Sequence, residues 1–139
     1  MLVTPPDLEL FLTVYLRDAL KAHGQDVQVG NKESYNIAAP LFRPLVVVRE
    51  DGGPATSAIT YTRSCGISVL GGTRRNDKPT KDLARLCFAI LTDPDIALAD
   101  GSPIAAVNLS GATMPVTVAE PQDLTRAYFT VEYATVGVW

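Results

Sequence analysis

Gly71-Gly72-Thr73-Arg74-Arg75, followed by Lys78 and Lys81, is the segment of this chain best supplied to hold an anion. Glycines let backbone amides approach a phosphate closely, and the cations behind them would add charge. A true phosphate loop, however, needs G-x-x-x-x-G-K-[ST], so that amides, lysine and hydroxyl converge on phosphates and magnesium. Neither glycine is followed by that set, Pro79 removes an amide near the helix start, and no G-x-G-x-x-G occurs. Nucleotide binding is therefore not expected. Three readings remain for Arg74, Arg75, Lys78 and Lys81: contact with an acidic surface of a neighbouring subunit, contact with a nucleic-acid backbone, or a solvated loop and first helical turn. Cations at a helix start oppose the macrodipole, which favours some partner.

The other reactive residues assemble no catalytic set. Cys65 falls on the apolar face of a predicted strand and Cys87 on a predicted helix stripe, far apart and without C-x-x-C spacing. They read as small buried apolar residues in a reducing compartment. With His23 the only histidine, no zinc cluster is expected. Neither Ser64 nor Ser110 has a G-x-S-x-G setting. Asp93, Asp95 and Asp100 lie in a proline- and glycine-containing loop whose spacing is not that of a Ca²⁺ loop. The sequence thus predicts neither enzyme activity nor a cofactor.

The elements that must position these residues are legible from periodicity. Leu8, Phe11, Leu12, Tyr15, Leu16, Ala19 and Leu20 recur at the spacing of one helical face. Thr4 is the expected cap, Pro5 the first helical residue, and Gly24 the stop. Residues 27–29 suggest a short strand and 30–44 a loop punctuated by Gly30, Asn31, Asn36, Pro40 and Pro44. Leu45-Val-Val-Val48 reads as a strand, closed by the turn signal Asp51-Gly52-Gly53-Pro54. From Ile59 to Val69 odd positions are apolar and even ones polar or Gly66, with Arg63 the one exception. A strand that long suggests that Asp51–Arg63 projects beyond the sheet as a hairpin arm; the alternative is two strands with a bulge near Gly66. A second helix is expected from about 77–80 to Leu91, buried through Leu83, Leu86, Cys87, Ile90 and Leu91. An exposed loop over 93–103 and strands over 104–109, 114–119 and 126–136 complete the chain. These elements predict one α+β domain spanning residues 1–139: a mostly antiparallel sheet with two amphipathic helices on one face.

Composition limits the partners. The 139 residues carry a formal charge of -3, against the strong basicity usual in nucleic-acid binders. Yet residues 63–92 hold six basic and two acidic side chains, while residues 93–139 hold one and six. Such segregation suits a protein whose faces meet different neighbours, or copies of itself. No apolar run is long enough to span a bilayer and no signal peptide opens the sequence, so a soluble protein made in a cytoplasm is expected.

The order of elements resembles the tail-terminator (tail-completion) proteins of long-tailed bacteriophages. The likeness rests on the opening amphipathic helix Pro5–Lys21, the valine-rich strand Leu45–Glu50 with its hairpin turn, the helix Lys81–Leu91, and the closing strand Tyr128–Val136. The textures Ile67-Ser-Val-Leu-Gly-Gly-Thr and Arg126-Ala-Tyr-Phe-Thr-Val-Glu-Tyr belong to the same resemblance. It implies a structural virion protein that forms a ring, commonly a hexamer, capping the tail tube and docking onto the head connector. It further implies no cofactor, no catalysis, and assembly in the host cytoplasm at the head-proximal end of the tail. On that reading Arg49, Asp51, Gly52, Gly53, Tyr61 and Arg63 belong to an arm reaching a neighbour, and Arg74, Arg75 and Lys78 to a polar contact surface. The rivals are a head–tail connector or neck component, and a small nucleic-acid-binding module using residues 63–85.

Overall fold

A computed structural model describes residues 1–34 and 36–139. Tyr35, inside the expected 30–44 loop, lies outside the described residues. The chain is α+β. Six strands, β1 (Gln28–Gly30), β2 (Leu45–Gly52), β3 (Thr60–Gly71), β4 (Ile104–Val107), β5 (Thr113–Val118) and β6 (Thr125–Val136), form one sheet ordered β1-β2-β3-β6-β4, with β5 also on β6. Among the described residues only β1 and β2 run parallel. Helices α1 (Leu8–Ala22) and α2 (Lys78–Thr92) cover one face.

The longest pairing joins β3 to β6 without interruption, from Thr60 opposite Val136 to Gly71 opposite Thr125. There is no break near Gly66, so the two-strand alternative is set aside. Alternation along both strands sends Cys65, Ile67, Val69, Ala127, Phe129, Val131 and Tyr133 inward, all buried. On the other face Gly66 lets the Tyr128 side chain lie across the pair, since a Cβ there would press on its hydroxyl and ring edge.

Both helices are built to fill that inward face. Leu8, Leu12, Leu16 and Leu20 of α1 are fully buried, one per turn. Each such leucine contributes about 1.5–3 kcal/mol relative to exposure. The cap differs from expectation: Asp7, not Thr4, accepts the Leu10 amide at 3.0 Å, and the helix starts at Leu8 rather than Pro5. Thr4 instead exchanges backbone hydrogen bonds with Val138 at 2.8 Å, which holds the entering chain extended. Gly24, at φ 73°, ends α1 as its left-handed conformation requires. Helix α2 buries Leu83, Ala84, Cys87, Ile90 and Leu91, and Phe88 meets Phe129 edge-on at 5.5 Å.

The projecting arm is corrected. Tyr61 and Arg63 pair with Thr135 and Tyr133 inside the sheet, because β6 is as long as β3 and supplies partners to its end. Only residues 53–59 lie past the strands, folded back by Thr62 N–H donating to Pro54 O and Thr56 N–H to Thr60 O, both at 2.9 Å. Nor do β4 and β5 form a hairpin: both lie along the same edge of β6, β4 beside its Tyr133–Thr135 end and β5 beside Arg126–Thr130. The expected loop before β4 contains a 3-10 turn, Pro94–Leu98, pinned by buried Ile96.

Tyr133 is fully buried and its hydroxyl donates to Leu91 O at 2.6 Å, satisfying a carbonyl at the C-terminus of α2. Tyr133→Phe strands that carbonyl and should cost about 1–3 kcal/mol. Urea denaturation with an unchanged slope checks this; a midpoint equal to wild type would show that the hydrogen bond stabilises nothing.

Candidate interaction surface

The residues expected to form one interface occupy opposite ends of β3. Arg49, Asp51, Gly52, Gly53, Tyr61 and Arg63 sit at the β2–β3 turn, whereas Arg74, Arg75 and Lys78 follow the other end. The eight residue steps from Arg63 to Gly71 alone span about 26 Å at strand rise. The structure therefore brings together two groups rather than one.

At the turn, the charges are matched internally. Arg49 Nε meets Asp51 Oδ1 at 2.9 Å, and the pair is exposed. Arg63 projects inward, where it meets Glu50, likewise inward on β2, with side chains only 13% and 17% exposed. Arg63 Nη1 is buried with no hydrogen-bond partner among the described residues. Glu9 of α1 accepts the Glu50 amide at 2.9 Å, so the helix start is tied to this pair. Gly52 and Gly53 adopt φ of 82° and 157°, and a Cβ on Gly53 would strike the Thr62 carbonyl.

At the other end, Arg74 is a tether. Its amide donates to Asp123 Oδ1 at 3.1 Å, and its guanidinium donates to the carbonyls of Glu120 and Pro121. Arg126 closes the same corner between Glu33 and Glu120. Burial alone would raise the Glu120 carboxyl; hydrogen bonds from Arg126 and from the Gln122 amide outweigh it and hold that group below its usual range. Lys78 pairs with Asp82 and Lys81 with Asp77, one helical turn apart, and Arg85 also reaches Asp82. Arg75 is exposed and has no ion-pair partner among the described residues.

Between α2 and β5 runs a groove of about 440 Å³, lined by Lys81, Arg85, Met114, Pro115, Val116 and Thr117, with Ala127 behind them. Met114 and Val116 are 71% and 54% exposed, an apolar strip at a sheet edge. Sequence reasoning placed β5 but not this groove, because which edge stays open depends on strand order. The one signal available was Pro115, which lacks a ladder donor and so belongs on an edge strand.

Among the described residues no group of three or more His, Cys, Asp or Glu side chains could hold a metal ion. Among them, too, no helix is long and apolar enough to cross a membrane. Both cysteines are buried, and burial pushes each thiol up to about 12. Compared with known protein families and with curated proteins, the chain matches none.

The thiols carry a pH prediction. Their folded pKa lies above the ordinary value of 9.0, so the unfolded chain loses its thiol protons first. Their contribution is complete below pH 9 and is lost as pH rises from there toward 12. Unfolding free energy should fall across that window, and fall less in a Cys65→Ala/Cys87→Ala variant. An equal alkaline slope in both proteins would rule the thiols out as its source.

Proposed function

We propose that this chain is a structural component of a phage tail, a terminator that assembles head to tail into a ring between tail tube and head connector. The observation that carries the reading is the opposite charge at the two ends of α2, beside an open sheet edge. Residues 74–85 hold five cations and two carboxylates, whereas residues 93–100 hold three aspartates and no cation. Unlike patches on one subunit favour heterologous contacts, which generate rings when the rotation closes. The resemblance in element order points the same way and supplies the setting, the head-proximal end of the tail. The role needs no cofactor: it uses surface, not bond chemistry.

Mass photometry and electron microscopy over a concentration series test the reading. Discrete ring-sized particles should form, alone or on purified tail tubes, and should weaken as salt rises toward 1 M, where screening shortens to about 3 Å. A protein that stays monomeric at every concentration and ignores tail tubes would overturn it.

A further inference from the structure

The groove between α2 and β5 has an apolar strip and a cationic rim, and the same chain presents a segment that matches both. Leu98 is 81% exposed at the end of the Pro94–Leu98 turn, with Asp95 and Asp100 exposed on either side of it in sequence. Buried Ile96 fixes that turn on the body, and Asp93 Oδ1 caps it by accepting the Asp95 amide at 2.9 Å. A knob held this way loses little conformational freedom on docking.

We propose that this groove receives the Asp93–Asp100 segment of a second copy of the chain, with Leu98 seated against Met114 and Asp95 and Asp100 facing Lys81 and Arg85. The inference rests on the self-assembly reading above and assigns its contact. A chain cannot make the contact with itself: Lys81 and Thr92 are eleven helical residues apart, about 16 Å along α2, and the acidic segment leaves from the far end. The rim cations are available despite their local partners, because solvent-exposed pairs such as Lys81–Asp77 and Arg85–Asp82 are weak and exchange readily. Docking by side chains, rather than by strand addition, follows from β5 itself. Pro115 offers no amide, and the pairing register shifts between Thr113 and Val116, both of which blunt an edge against a new strand.

The test uses the full chain. Lys81→Glu/Arg85→Glu should raise the concentration at half-assembly about tenfold or more, and Leu98→Asp should do the same. Adding Asp95→Lys/Asp100→Lys to the groove variant should restore assembly, which simple misfolding would not. A mixture of Leu98→Cys and Met114→Cys proteins should form an intermolecular disulfide on oxidation, with native Cys65 and Cys87 too buried to compete. Wild-type assembly left unchanged by the groove and Leu98 variants, with no cross-link, overturns this contact while leaving the terminator reading in place. A wild-type chain that never associates overturns both.

Discussion

The constraint on which the rest depends is the register of β3 against β6. A shift of β6 by one residue would turn Phe129, Val131 and Tyr133 to the outer face and bring Tyr128 and Thr130 into the core. Twelve consecutive partnerships and the bulk of Phe129 and Tyr133 hold it. On the other side, Gly66 leaves space that the Tyr128 side chain occupies. Once this pair is fixed, β2 adds along β3, β4 and β5 add along β6, and both helices have a single apolar face to cover.

The placement of the edge follows from the same pair. Because β6 runs the full length of β3, its far side is long enough for two short strands laid end to end. The chain reaches that side by crossing from β3 through α2, so that β6 lies between β3 and β4. This crossover sets the basic start of α2 beside β5 and carries the acidic turn Pro94–Leu98 to the β4 end. Charge separation written in the sequence becomes separation in space because α2 is a rigid spacer. The polarity of the surface is thus a consequence of topology, not of any local motif.

Much of this was legible in residues. The leucine spacing gave α1, the alternation gave β3 and β6, and the turn glycines placed the β2–β3 hairpin. The inward parity of Glu50, in phase with Val46 and Val48, would also have named the partner of Arg63, the one charged residue out of phase on its own strand. What the residues did not carry was non-local: which strand lies beside which, and hence whether the Asp51–Arg63 stretch is free or paired. Thr4 has the local chemistry of a cap, yet Val138, far along the chain, pairs with it.

The basic segment shows why a count of charges is a poor guide to a binding surface until burial has sorted them. Arg63 and Arg126 are largely buried in their pairs, and Arg74 is spent on backbone carbonyls of the 120–121 stretch. Withdrawing any of these for a partner would strand a buried carboxylate or open the corner, a cost of several kcal/mol for a buried pair. Lys78, Lys81, Arg85 and Arg75 stand differently: their carboxylate partners, where they have them, are exposed and weakly bound. The cations free to meet something new are therefore those on one face of α2 and just before it, beside the groove. Two aspartates remain among them, which lowers the field that a nucleic-acid backbone would need along its length. A compact acidic knob with an apolar tip needs only two nearby cations and a hydrophobic seat, and that is the chemistry this edge offers.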